Sequence, residues 1–118
     1  MPVTLVVKYA VKLENAVAGM LLKHVQFLQD SQGRETDLHY IRTKDGAEVD
    51  FAISDGRDVV QLIECKASDT ALHPSLKRFW GQWPDARVVQ IVGDIRQPQT
   101  RDGIDVVDAA TWLAGLAA

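Results

Sequence analysis

Three acids and one lysine carry the chemistry that this sequence can offer: Glu14, Asp50, Glu64 and Lys66. The run Asp45-Gly46-Ala47-Glu48-Val49-Asp50-Phe51 is followed, after Asp55-Gly56-Arg57-Asp58, by a run from Val59 that ends Ile63-Glu64-Cys65-Lys66. Alternating apolar residues on either side of a glycine-containing turn predict a strand, a turn and a second strand. With side chains alternating at period two, Ala47, Val49, Phe51 and Ile53 are expected on one face of the first strand, and Glu48 and Asp50 on the other. On the second strand Val60, Leu62, Glu64 and Lys66 are expected to share a face. An acid on one strand, beside an acid and a lysine two apart on its neighbour, can hold a divalent cation with the lysine next to the reacting group. Glu-x-Lys alone carries little weight, because structural ion pairs are far commoner than sites.

The elements that must position these residues follow from periodicity. Val3 to Lys8 is rich in valine and predicts a short strand. Lys12 to Asp30 lacks proline and repeats apolar residues at helical spacing, with Ala18, Leu21, Val25 and Leu28 as a stripe flanked by Val17 and Leu22. Glu14 falls on the centre of that stripe, where a carboxylate is costly unless something compensates it. Gly33 is the expected helix stop. Leu38 to Thr43 predicts a strand that turns at Lys44-Asp45-Gly46 into the first acidic strand. Beyond the second, Ser68 to Pro74 is expected as a loop and Ser75 to Trp83 as a helix that stops at Trp83-Pro84-Asp85. The apolar run Arg87 to Val92 predicts a strand covered on both faces. Asp94 to Gly103 is expected as a polar loop, Ile104 to Val107 as a short strand, and a last helix starts at Asp108 or Ala109. The order β-α-β-β-β-α-β-β-α implies an α/β fold, a mixed sheet with helices packed on it.

Composition narrows the function classes. A chain of 118 residues, 47% hydrophobic and 25% charged, suits one domain (1–118) with a core of ordinary size. No apolar run approaches the roughly 20 residues of a membrane span, and the start of the chain lacks the features of a signal peptide, so a cytoplasmic protein with no membrane partner is expected. The single cysteine, Cys65, excludes an internal disulfide and a thiolate zinc site. Thirteen basic against sixteen acidic residues give a net charge of −3, so any nucleic-acid contact must rely on a local patch or a bound cation.

Several stretches together resemble a known family. They are Glu14-Asn15 at the start of a helix, Arg42-Thr43-Lys44-Asp45-Gly46-Ala47-Glu48-Val49-Asp50-Phe51, Ile63-Glu64-Cys65-Lys66-Ala67-Ser68, and the ending through Gly103-Ile104, Trp112 and Leu113. From Leu13 onward the chain resembles the C-terminal domain of unknown function that follows the ATPase module in many AAA-type predicted ATPases. That domain is similar to the PD-(D/E)XK nuclease superfamily, so the resemblance implies a restriction-endonuclease-like fold, a mixed β-sheet flanked by helices. It places Glu14 at the helical acid, Asp50 at the metal-binding acid and Glu64-x-Lys66 at the signature pair. No Gly-x-x-x-x-Gly-Lys-Ser/Thr occurs in these residues, and residues 1–11 stand as an extension where the family continues from the ATPase. A free-standing copy or a fragment of a longer gene is the expected origin.

The chemistry gives each residue a reason. Asp50 and Glu64, with Glu14 directly or through water, are hard oxygen ligands suited to Mg²⁺ or Mn²⁺. Lys66 orients or deprotonates the attacking water and stabilises the transition state of phosphodiester hydrolysis in DNA or RNA. The rival reading is a catalytically inactive nuclease-fold module that docks or regulates an AAA-type ATPase or another protein. A homodimer is expected through Val3–Tyr9 as an edge strand. Cys65 is expected as a buried inert thiol, and His24, His39 and His73 as surface or capping residues. Glu48 is either an acid behind the site or one half of a rim salt bridge. Trp80 and Trp83 are expected in the core. Lys77 and Arg78 on the helix, with Arg42 and Lys44, are candidate phosphate contacts or solubilising charges.

Overall fold

Thirty residues without a proline form α1 (Val3–Gln32), which closes at Gly33 (φ 64°). There Arg34 N donates to Leu28 O and Gly33 N to Gln29 O, so the last carbonyls of the helix are satisfied. The computed structural model describes residues 3–66, 72–93, 95 and 98–116, with the side chains of α1 described from Leu13 onward. The strand expected over Val3–Lys8 is instead the start of α1. The preference of valine for extended chain is a fraction of a kcal/mol per residue and yields to the continuity of a helix with no breaker. The edge-strand route to a homodimer is lost with it. Among the described residues no helix is long and apolar enough to cross a membrane.

Strands β1 (Thr36–Arg42), β2 (Glu48–Asp55) and β3 (Asp58–Lys66) form an antiparallel meander. Helix α2 (Pro74–Gln82) then leads to β4 (Arg87–Val92), which lies parallel to β3. Strands β5 (Gln99–Arg101) and β6 (Ile104–Asp108) follow, then α3 (Ala109–Leu116). The six-stranded mixed sheet has the order β1-β2-β3-β4-β6-β5. The loop expected from Ser68 lies outside the described residues as far as position 71. Strand β5 falls inside the stretch read as a polar loop. Its three exposed residues have no apolar pattern, and it forms because Asp102 (φ 52°) and Gly103 (φ 83°) make a two-residue hairpin turn to β6.

Two cores sandwich the sheet. On one face Val17, Leu21 and Val25 of α1 and Ala109 of α3 pack on Phe51, Ile53, Ile63, Val89 and Ile91. On the other, Leu76 and Phe79 of α2 pack on Val49, Ala52, Leu62, Val88 and Ile104. Each of the three buried α1 side chains contributes roughly 1.5–3 kcal/mol of burial. Leu22, read as a flank of that stripe, is 48% exposed.

Two bulges overturn the expected faces of β2 and β3. His39 pairs with Ala52 but Ile41 with Val49, so β2 carries one extra residue at Asp50–Phe51. Val49 consequently lies under α2 while Phe51 and Ile53 lie under α1. A second irregularity, where Ile53 pairs with Gln61 and Ser54 with Val59, puts Val60 on the α1 side and leaves Leu62 on the α2 side.

Gly103 is required twice over, by its positive φ and by a Cβ that would come within 2.9 Å of the Trp80 ring. Gly103→Ala is expected to destabilise the fold by about 1–3 kcal/mol in chemical denaturation. Gly19→Ala, on exposed α1 with nothing near its Cβ, is expected to stabilise it by about 0.5–1 kcal/mol. Equal effects of the two would contradict this packing.

Candidate active site at the parting of two strands

The cross-strand pairing of β2 and β3 runs up to Phe51 and Ile63, and beyond it side chains take over from the backbone ladder. Asp50 N donates to Glu64 Oε1 (3.0 Å), and Cys65 N donates to Asp50 Oδ2 (2.9 Å). Each carboxylate therefore satisfies an N–H of the opposite strand beyond the end of the ladder. This exchange explains how Glu64 is tolerated at 4% exposure. Its other oxygen, Oε2, lies 3.5 Å from His73 Nδ1. That contact is not an ion pair, because Nδ1 already accepts the Ser75 N–H as the cap of α2.

Burial pushes the Glu64 carboxyl well above the usual carboxylate range, and a hydrogen bond to Asp50 and the Asp50 charge push the same way. Glu14, half-buried on α1, is raised by burial, by the charges of Asp50 and Glu48, and by a hydrogen bond to Asp50. The Cys65 thiol is pushed up by burial and then by Asp50, Glu64 and Glu14. Three acids from α1, β2 and β3 thus share one neighbourhood. Cys65, partly buried against the α1 core, is held as a thiol and is no nucleophile. Lys66 closes β3 opposite Val92, its carbonyl accepting the Gly93 N–H (3.0 Å), and the unbroken β3–β4 register puts it on the Glu64 side.

Among the described residues no three His, Cys, Asp or Glu side chains form a ready cation cage. The donor set that the geometry brings together is two carboxylates, Asp50 and Glu64, with Glu14 of α1 in the same neighbourhood. Mg²⁺ keeps several waters and needs no more than one or two protein carboxylates.

The other candidates are internally engaged. Glu48 accepts from Tyr40 Oη (2.8 Å) and pairs with Arg42 (3.1 Å) in a rim salt bridge, and the Tyr40 hydrogen bond and then Arg42 lower its pKa. Lys77 pairs with Asp102, and Arg78 pairs with Asp45 (2.9 Å). Trp80 and Trp83 are partly buried against the α2 core, Trp83 stacking over Phe79 at 6.0 Å. Two residues of the neighbourhood were missed by sequence reasoning. Gln90 is fully buried, pairs in register with Glu64, and accepts the His73 N–H (3.0 Å). An amide inside an otherwise apolar strand was the available clue. His73 was read as a surface or capping residue; it caps α2, and its ring also walls the Glu64 side.

Because the folded Glu64 holds its proton more tightly than the unfolded chain does, its contribution to stability is complete below the ordinary pKa of about 4.5 and falls as pH rises above it. Unfolding free energy of the metal-free protein is expected to decline between about pH 5 and pH 8, and Glu64→Gln to flatten that decline. Parallel curves would contradict the burial of this carboxyl. Asp50→Asn keeps an acceptor for Cys65 N and is expected to melt at or above the parent temperature in chelator. Asp50→Ala orphans that N–H and is expected to cost about 1–3 kcal/mol.

Comparison with curated proteins gives no match to the chain. The family model of the domain of unknown function DUF4143 matches residues 12–112, which spans every element of the acidic neighbourhood. The chain therefore belongs to the DUF4143 family.

Proposed function

We propose that this domain is a cytoplasmic, metal-dependent nuclease of PD-(D/E)XK type, with a restriction-endonuclease-like fold, acting on phosphodiester bonds of DNA or RNA. The single observation that supports it is the exchange of N–H bonds between Asp50 and Glu64. It holds two carboxylates face to face at the end of two strands and leaves the second oxygen of each, Asp50 Oδ1 and Glu64 Oε2, outside the ladder.

In this reading Asp50 and Glu64 hold Mg²⁺ or Mn²⁺, which when bound supplies neutralisation of charge building on the phosphate. Glu64 gives up its proton to make room for that charge, so occupancy rises with pH. Glu14, in the same neighbourhood as Asp50, takes part directly or through a water. Lys66, at the end of the same strand as Glu64, orients or deprotonates the attacking water and offsets charge in the transition state. Cys65, held as a thiol, takes no part.

A second reading is favoured by one specific observation. Arg42, Lys77 and Arg78, which would meet a nucleic-acid backbone, are each paired with an acid of the same chain. A catalytically silent module that docks an AAA-type ATPase or another protein needs no such cations free, and the carboxylate exchange then serves only to close the sheet.

Cleavage separates the two. Labelled single-stranded and duplex DNA and RNA oligonucleotides, incubated with Mn²⁺, are expected to be cut by the parent. Chelator, Lys66→Ala and Asp50→Asn are each expected to lower the rate by about 100-fold or more. No cutting of any substrate, or cutting that survives Lys66→Ala, would favour the docking module.

A further inference from the structure

A cleft of about 590 Å³ opens on the α2 side of the sheet, lined by Leu72, His73, Pro74, Lys77, Arg101 and Asp102. Its size is that of a small-ligand site. One wall is the first turn of α2, and the opposite wall is the hairpin of β5 and β6. His73 belongs both to this cleft and to the surroundings of Glu64, so the cleft adjoins the acidic neighbourhood.

Among the described residues that line the cleft, two cations, Lys77 and Arg101, face one acid, Asp102, an excess of basic groups on a chain whose net charge is −3. Arg101 Nε donates to the neutral Gln99 Oε1 (3.2 Å). Lys77 and Asp102 pair across the cleft while both stay more than half exposed, and an exposed pair of this kind is weak. The backbone of α2 offers little to an anion here. Pro74 has no N–H, Ser75 N donates to His73 Nδ1, and Leu76 N donates to His73 O. Recognition of an anion therefore falls on the two cationic side chains, with Leu72 and Pro74 as an apolar floor.

We infer that this cleft is a phosphate subsite for a nucleotide unit, in which Asp102 occupies Lys77 until a phosphate displaces it. The identity of the ligand as a nucleotide rests on the nuclease reading above; the site itself rests on the cleft. Phosphate carries more charge and more acceptor oxygens than a carboxylate, so it outcompetes Asp102 for Lys77 and adds Arg101. Asp102 then acts as an internal competitor that keeps weak anions out.

The test is calorimetric titration of adenosine 5′-monophosphate, inorganic phosphate and adenosine into the whole chain in chelator at low salt, where the cation site plays no part. Adenosine monophosphate is expected to bind saturably, inorganic phosphate more weakly and competitively, and adenosine not at all. Lys77→Ala is expected to weaken binding about tenfold. Asp102→Asn keeps the turn, since asparagine accepts its positive φ, and is expected to tighten binding about two- to fivefold. Both positions are exposed, and unchanged melting temperatures check that the variants are folded. Absence of saturable binding in the parent and in Asp102→Asn would overturn the subsite, as would identical affinities of Lys77→Ala and Asp102→Asn. Nucleotide binding without oligonucleotide cleavage would leave the subsite standing and remove the nuclease reading; cleavage without this binding would do the reverse.

Discussion

Two side-chain hydrogen bonds hold the centre of this molecule: Asp50 N to Glu64 Oε1 and Cys65 N to Asp50 Oδ2. The backbone ladder between β2 and β3 ends at Phe51 and Ile63, next to the place where β2 bulges against β1, and beyond it the two carboxylates bond across the strands. The same bulge decides which β2 side chains reach which helix, and so divides the two cores. It also forces acids from two strands into contact. Burial and mutual repulsion then raise Glu64 and, through Asp50, Glu14 on α1. A fold that relied on this cluster for stability alone would do as well with neutral amides at these positions. Carboxylates there are informative for that reason, because unlike amides they can ionise to meet a cation.

Much of this was legible in the residues. The α1 stripe, the turns at Gly46 and Gly56 and the parallel strand after α2 all follow from apolar spacing and from glycine at turns. Glu14 stood out because a carboxylate on an apolar stripe needs a partner, and Asp50 is that partner. The faces of β2 and β3 were misread because period-two alternation assumes an unbroken pleat, and no residue type marks where a bulge will fall. Val3–Lys8 was misread because local β-propensity is weak beside the continuity of a long helix. Strand β5 was invisible, since three exposed polar residues carry no pattern and only the Asp102-Gly103 turn betrays it. The polar partners of Glu64 could not be found locally either, because Gln90 and His73 meet it through sheet register and a helix cap.

Surface charge gives the molecule a second level of organisation. Arg42 with Glu48, Arg78 with Asp45 and Lys77 with Asp102 link neighbouring elements through exposed pairs. Such pairs stabilise little, so they are easily opened by a stronger anion. This distinguishes them from the Asp50–Glu64 exchange, which is part-buried and involves a carboxylate only 4% exposed.

The central claim is that the buried carboxylate exchange is a cation site, and anomalous diffraction from a crystal soaked in Mn²⁺ tests it without assuming a substrate. The account expects one anomalous peak between Asp50 and Glu64, at the roughly 2.0–2.2 Å distances of a small hard cation from oxygen, and no such peak in crystals of Asp50→Asn. A soaked crystal with Asp50 and Glu64 still exchanging their backbone bonds, and with no peak between them, would contradict it.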